Sequence, residues 1–161
     1  MHNLGCSDAD WASDATHRHS ISGFCFFFQG SLISWSAIKQ HTIALSSTEA
    51  KYYALTHAFK EALWLHVFLT LLNLPVPHPF SIFSDNQAAI SLSSSTSVSS
   101  HSKHIDIRYH FHRSHVSDGS FTITWIPSSD MPADIFTKPL SNPVFSCHHS
   151  VLGLIPLLPS L

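Results

Sequence analysis

The stretch SSTEAKYYALTHAFKEALWLHVFLTLL, residues 46–72, has the repeat of one long amphipathic helix. Ser46 and Glu49 stand in the S-x-x-E spacing of a capping box, so we expect the helix to begin at Thr48 and to run to Leu72. An apolar stripe follows the helical period along this segment, and it consists of Leu55, Ala58, Ala62, Leu65, Leu69 and Leu72. This pattern predicts a helix that packs its apolar face on a sheet.

Two strands are predicted before this helix. GFCFFF (23–28) and SLISWS (31–36) are rich in β-forming residues, and Gln29 and Gly30 separate them. A two-residue connection that contains glycine is typical of an antiparallel hairpin. A first short strand is predicted just before Asp8.

After the helix, the chain alternates between short strands and short helices. The proline-rich segment from Leu74 to Pro79 ends the long helix, and SSSTSVSSHS (93–102) has the low complexity of a mobile loop. The other segments are predicted as a strand at 80–85, a helix at 86–92, a helix at 105–116, a strand at 121–127 and a short helix at 132–137 that Asp130 opens. This order predicts an α/β domain with a mixed sheet.

The composition limits the kind of partner. The chain has 161 residues, enough for one domain with its own core. Only 11% of the residues are charged and the net charge is -2. This balance provides no basic field of the kind that drives phosphate binding by counterion release. We expect one domain at 4–154, followed by an apolar tail at 155–161.

The cysteines and the two ends of the sequence indicate the cellular compartment of the protein. Cys6, Cys25 and Cys147 are odd in number and lack CxxC spacing, which argues against a disulfide framework and against a zinc ribbon. The N-terminal residues have no basic flank followed by an apolar run, so they do not resemble a signal peptide. The segment VLGLIPLLPSL (151–161) is too short to span a bilayer. These features predict an intracellular protein of the cytoplasm or nucleus that is neither secreted nor bound to a membrane.

Three aspartates stand out by their positions. Asp8 and Asp85 each follow a predicted short strand, and Asp134 lies on the last predicted helix. Carboxylates at the ends of neighbouring strands can converge on hard divalent cations, which prefer oxygen ligands. Two-metal nucleases use such a cluster to align a water molecule with a phosphodiester. Taken singly, each aspartate is better explained as a helix cap or a solvated residue.

Lys51 occupies an unusual position on the long helix. Positions 51, 55, 58 and 62 share the face toward the sheet, whereas Glu49 lies about 200° away around the helix. An unpaired ammonium on a buried face is costly, and a cluster of aspartates would satisfy it. We therefore expect Lys51 to point toward Asp8 or Asp85, and we expect Glu49 to remain at the start of the helix.

Six motifs occur in the order and spacing of a known family. The chain resembles the ribonuclease H domain at the end of a copia-type retrotransposon Pol polyprotein, from about residue 4 to residue 154. The motifs are SDADWA (7–12), LSSTEAKYYAL (45–55), KEALWL (60–65), FSDNQAAI (83–90), SKHIDIRYHF (102–111) and ADIFTKPL (133–140).

The resemblance implies a ribonuclease H-like fold, with a mixed five-stranded sheet flanked by helices. It also implies cleavage of the RNA strand of an RNA–DNA hybrid, with magnesium held by four acidic side chains. Asp8, Asp85 and Asp134 match three of these catalytic and metal-binding positions, and Lys51 stands where the family has a glutamate. Because an ammonium repels cations, we expect magnesium binding to be weakened and catalysis to be impaired.

Further positions bear on nucleic-acid contact and on the core. The candidates for contacting nucleic acid are Trp11, Asn86, Gln87, Lys103 and Arg108. Trp64 and Trp125 fall on apolar faces and are expected in the core. The histidines between residues 101 and 115, and those at 148 and 149, lack the ligand spacing of a zinc site.

The sequence leaves three functions open: a folded but silent ribonuclease H domain, a module that binds nucleic acid without cutting it, and a weakly active nuclease that uses three aspartates and a displaced Glu49. Other departures from the family pattern are Ser13 for glycine, Met131 for asparagine, and His19 and His66 for arginine. The expected partner is an RNA–DNA hybrid. No reverse transcriptase sequence precedes Asp8 in this sequence. We expect the chain to be a monomer.

Overall fold

The computed structural model describes residues 4–76, 78–94, 111 and 114–155. The strands are β1 (Leu4–Asp10), β2 (Ile21–Phe28), β3 (Ser31–Lys39), β4 (Phe80–Ser84) and β5 (Phe121–Trp125). The α-helices are α1 (Ser47–Leu71), α2 (Gln87–Ser94) and α3 (Asn142–Val151), and two 3-10 helices span Ser128–Asp130 and Pro132–Phe136. Residues 111 and 114–117 are also helical.

The five strands form one mixed sheet in the order β3-β2-β1-β4-β5. β1, β2 and β3 pair antiparallel, whereas β1 with β4 and β4 with β5 pair parallel. The predicted α/β class with a mixed five-stranded sheet is therefore confirmed. The predicted hairpin is the β2–β3 connection, where Gln29 and Gly30 both have positive φ, at 50° and 84°. Positive φ at both central residues matches the twist of the paired strands.

Helix α1 packs across one face of the sheet. Ser46 caps it, because the Ser46 Oγ accepts a hydrogen bond from the Glu49 N–H at 3.1 Å. The apolar stripe is buried from Leu55 to Leu69. Its part up to Leu65 belongs to one core with Phe26 and Ile82. Leu72 does not continue the stripe, because the helix ends at Leu71 and the Leu72 side chain is exposed.

The opposite face of the sheet carries the 3-10 helices and α3. Side chains alternate along β2, so Phe24 and Phe26 contact the α1 layer while Cys25 and Phe27 contact the other. Met131, Ala133 and Leu152 complete this second core. β2 is therefore buried on both faces, which explains why it reads as a nearly continuous apolar run.

Several sequence expectations need correction. Asp8 lies inside β1, which continues to Asp10, because β1 pairs with β2 over its whole length. The short helix predicted at 132–137 is a 3-10 helix at Pro132–Phe136, and Met131 rather than Asp130 precedes it. Helix α3 was not predicted, and residues 93 and 94 extend α2 rather than starting a loop. Residues 95–110, 112 and 113 of the predicted loop and helix lie outside the described residues.

Two tryptophans expected in the core lie at the surface. The side chain of Trp64 is 57% exposed and that of Trp125 is 46% exposed. In the described part of the chain, none of the helices has the length and apolar character needed to cross a membrane.

Candidate catalytic site

Strand register brings Asp8 and Asp85 to the same place. Cys6 on β1 pairs with Phe83 on the parallel strand β4. Asp8 lies two residues further along β1, and Asp85 lies two residues beyond Phe83, directly after the end of β4 at Ser84. Asp8 is fully buried, and the Asp85 side chain is only 4% exposed. The pairing of β1 with β4 thus brings two carboxylates together that are far apart in the sequence.

Lys51 of α1 lies between these two carboxylates. Its Nζ is 2.9 Å from Asp8 Oδ1 and donates a hydrogen bond of 2.5 Å to Asp85 Oδ1. The other oxygen of Asp85, Oδ2, accepts a hydrogen bond of 2.6 Å from Ser128 Oγ. The expected position of Lys51, near at least one of the aspartates, is found for both.

Asp134 completes the cluster from the 3-10 helix Pro132–Phe136. Its Oδ2 is 2.9 Å from Lys138 Nζ, and Lys138 also lies 3.6 Å from Asp8 Oδ2. Thr137 Oγ1 donates a hydrogen bond of 2.6 Å to Asp8 Oδ2. Asp134 Oδ1 is buried without a hydrogen-bond partner. Three carboxylates and two ammonium groups therefore form one network.

Gly23 allows this 3-10 helix to lie so close to the sheet. Gly23 on β2 is paired with Asp8 on β1. A Cβ atom at this position would lie 2.7 Å from Thr137 Cγ2 and 2.9 Å from Phe136 Cβ. Because both distances are shorter than normal carbon contacts, any larger side chain would push away the segment that carries Thr137 and Asp134.

Burial and charge move the pKa values of the site in different directions. Burial opposes ionisation of Asp8, but Lys51, Thr137 and Lys138 outweigh it and hold the pKa of Asp8 below its usual range. Burial and the neighbouring Asp8 carboxylate raise the pKa of Asp134 to about 7, although Lys138 opposes the shift. Burial tends to lower the pKa of Lys51, yet Asp8 and Asp85 raise it above its usual value. Lys51 is therefore a permanent cation in this site.

Glu49 is held away from the cluster by local contacts. Its Oε2 accepts a hydrogen bond of 2.7 Å from the Leu45 N–H, and its Oε1 accepts one of 2.6 Å from the Tyr53 hydroxyl. The capping box is thus present, although its carboxylate bonds the residue before Ser46. A displaced Glu49 does not supply the fourth carboxylate.

The candidates for contacting nucleic acid lie in different settings. Trp11 is 45% exposed, and its indole N–H donates to the Ala44 carbonyl at 3.0 Å. Asn86 Oδ1 accepts a hydrogen bond of 2.8 Å from the Ala89 N–H, so Asn86 helps to start α2, and Gln87 is exposed beside it. Lys103 and Arg108 lie outside the described residues.

Sequence reasoning missed four members of the site. Thr137 and Lys138 belong to the quoted motif ADIFTKPL, and Lys138 stands four residues after Asp134, a spacing that is typical of helical ion pairs. That spacing could have indicated Lys138. Ser128 and Gly23 gave no signal, because only the fold brings them to Asp85 and Asp8.

The site has the oxygen ligands for a hard cation but also has its own cations. Carboxylate oxygens are what magnesium and calcium prefer. Across the described ranges, no group of three or more His, Cys, Asp or Glu side chains is arranged to hold a metal ion. The space between Asp8 Oδ1 and Asp85 Oδ1 is taken by the Lys51 ammonium.

Comparisons with known proteins show homology across nearly the whole chain. It is 39% identical over 150 residues to the retrovirus-related Pol polyprotein from transposon TNT 1-94 of Nicotiana tabacum, and 36% identical over 154 residues to that from transposon RE2 of Arabidopsis thaliana. The alignments cover 93% and 96% of this chain but 11% of each relative, so the chain spans about a tenth of the length of the curated relatives it matches. No protein-family model matches it.

A solved structure agrees with the fold. The crystal structure of LC11-RNase H1 in complex with RNA/DNA hybrid superposes with a TM-score of 0.61, covering 84% of this chain and 93% of that one. The sequence identity is 11%, so this likeness concerns the fold alone.

Proposed function

Since the chain is homologous to a segment of the retrovirus-related Pol polyproteins of plant transposons and has the ribonuclease H fold, we propose that it is a ribonuclease H-like domain in which a lysine has taken the place of a divalent cation. Relatives with an intact site would cleave the RNA strand of an RNA–DNA hybrid. This chain keeps three of the four carboxylates, Asp8, Asp85 and Asp134, and is catalytically silent.

The observation that carries the proposal is the position of the Lys51 ammonium. It lies 2.9 Å from Asp8 Oδ1 and 2.5 Å from Asp85 Oδ1, within ion-pair distance of both. A magnesium ion that bridged these oxygens would have to displace a cation that cannot leave the chain. At 4 Å, a unit charge and a doubly charged cation repel by about 8 kcal/mol at an effective dielectric constant near 20. The residues present therefore do not fit a divalent cation between Asp8 and Asp85.

Two further features support a silent site. The pKa of Asp134 is raised to about 7, so this carboxylate is partly protonated at neutral pH and is a weaker ligand. Glu49 cannot compensate, because its two carboxylate oxygens are used at the start of α1. Both features act against the alternative of a nuclease that works with three aspartates.

Cleavage of a labelled RNA–DNA hybrid, with magnesium and then with manganese, tests the proposal. We expect no cleavage by the unmodified chain and at least partial activity for Lys51→Glu. Lys51→Met is the matched control, because it removes the ammonium without adding a carboxylate and should restore less. The double variant Lys51→Glu with Asp85→Asn should be silent again.

Each outcome separates the three functions. Metal-dependent cleavage by the unmodified chain, abolished by Asp85→Asn, would show that three aspartates suffice and that the assigned role of Lys51 is wrong. Hybrid binding without cleavage, measured by fluorescence anisotropy, would favour the non-catalytic binding module. The near-neutral charge of the chain argues for weak binding.

A further inference from the structure

The C-terminal half of α1 exposes an apolar face that the core does not use. We call it the α1 patch, and it consists of Trp64, Val67, Phe68 and Leu71. Their side chains are 57%, 56%, 43% and 76% exposed. The spacing i, i+3, i+4, i+7 places all four within an arc of about 100° on the helix. The rings of Trp64 and Phe68 stack on each other, with centroids 5.0 Å apart and planes 7° apart.

The α1 patch and the segment that follows it in the sequence contain no charged residue. From Ala62 to Val76 the sequence contains no Asp, Glu, Lys or Arg. Leu72 and Leu74, which are also exposed, extend the apolar surface beyond the helix end. An apolar patch of a few hundred Å² is about the largest that a typical monomeric protein exposes, and such a patch often serves an interaction.

The four positions are symmetric about the midpoint between Val67 and Phe68. We propose that the α1 patch is a dimer interface, in which α1 packs antiparallel on α1 of a second copy around a twofold axis at this midpoint. Each Trp64 then lies against Leu71 of the other copy, and each Val67 lies against Phe68. A self-complementary patch of this type is what a twofold interface requires.

Charge complementarity at the ends supports the antiparallel arrangement. The last turn of α1 contains no basic residue to interact with its C-terminal carbonyl groups. Lys60 is exposed one turn before the α1 patch, on the same side of the helix. In the antiparallel pair, Lys60 is level with position 75 of the other copy, about one turn beyond the end of that copy's α1. From there its long side chain reaches toward the last carbonyl groups of that helix, where a cation is favourable.

The available area sets the expected affinity. From the exposed fractions, the α1 patch with Leu72 and Leu74 offers on the order of 500 Å² per copy. Two copies would bury about 1,000 Å², which is the lower limit for a specific interface. We therefore expect a dimer that forms in the micromolar range and dissociates on dilution. This dimer would replace the monomer that the sequence predicts, and it does not depend on the state of the Lys51 site.

Sedimentation velocity over a range of concentrations tests the proposal. We expect the unmodified chain to shift from monomer to dimer with rising concentration, and we expect Val67→Glu to remain monomeric, because it places two carboxylates near the twofold axis. The matched control is Trp35→Glu on β3. Trp35 is 61% exposed and lies on an edge strand, so this variant also tests association through the sheet edge. It should dimerise like the unmodified chain.

Disulfide cross-linking across the proposed twofold axis tests the same interface without a charged substitution. Cys147 is exposed, so the background is Cys147→Ser. In this background we expect Val67→Cys to form a disulfide-linked dimer under mild oxidation by glutathione disulfide and Trp35→Cys to form far less. A chain that stays monomeric at high micromolar concentration, or a dimer that Trp35→Glu abolishes and Val67→Glu does not, would overturn the proposal.

Discussion

Replacing Lys51 with methionine should destabilise the fold because it leaves two buried carboxylates without their shared cation. Methionine keeps the length and the apolar stem of lysine and removes only the ammonium. Asp8 is fully buried and Asp85 nearly so, so neither carboxylate can regain full hydration after the change. The variant therefore isolates the electrostatic role of Lys51 from its packing.

The size of the effect follows from the geometry. Removing one partner of a buried ion pair costs about 3–5 kcal/mol. The Lys51 side chain is 15% exposed, and Lys138 remains 3.6 Å from Asp8 Oδ2, so we expect a loss near the lower end, about 3 kcal/mol. For a domain of this length, such a loss lowers the Tm by roughly 6–12 °C.

The loss of stability in Lys51→Met should depend on pH, and the pKa of Asp8 determines whether the loss is larger at high or at low pH. The folded-state pKa of Asp8 lies below its ordinary value of 3.8, so the ion pair stabilises the fold above pH 3.8 and loses its effect as the pH falls through the folded-state pKa. Without Lys51, burial dominates and the Asp8 pKa rises. The penalty in the variant is therefore larger at pH 7.5 than at pH 4, where Asp8 takes up a proton.

Urea unfolding, followed by tryptophan fluorescence at pH 7.5 and pH 4, measures this difference. Lys39→Met is the control, because Lys39 pairs with Asp14 at an exposed site and should change stability little at either pH. A loss of less than about 1 kcal/mol for Lys51→Met, or an equal loss at both pH values, would refute a buried ion pair at this position.

Three other substitutions test how the site is built. Gly23→Ala should lower the free energy of unfolding in urea by about 1–3 kcal/mol and speed hydrogen exchange around Thr137, because the new methyl group overlaps Phe136 and Thr137. A variant as stable as the parent would contradict the close approach of these residues to β2. The free energy of unfolding of Asp134→Asn, measured relative to the parent, should be higher at pH 8 than at pH 5 by on the order of 1–2 kcal/mol, because ionising a carboxyl with a pKa of about 7 costs the parent stability as the pH rises. Equal effects of the substitution at both pH values would be inconsistent with that pKa. Ser46→Ala should lower stability by about 1 kcal/mol at either pH through loss of the helix cap, and no change in the thermal melt would argue against that cap.

The sequence by itself determined the elements whose signals are local. The helical stripe, the Ser46 cap and the Gln29-Gly30 hairpin depend on residues a few positions apart, so periodicity and turn chemistry were enough to place α1, β2 and β3. The direction of Lys51 was also predictable, because helix geometry fixes which side chains share a face. The extra length of β1 and the short 3-10 helix around Asp134 were not, since pairing and packing with distant segments set them.

Only the tertiary structure determined which residues contact one another in the site. The parallel pairing of β1 with β4 brings Asp8 close to Asp85, which follows β4, and the absence of a side chain at Gly23 lets the segment with Asp134 approach. The partners Thr137, Lys138 and Ser128 come from the last third of the chain and have no sequence signal that connects them to Asp8 or Asp85. Exposure is likewise a property of the assembled fold, so Trp64, which an apolar pattern assigned to the core, lies at the surface because α1 has more apolar faces than the sheet can cover.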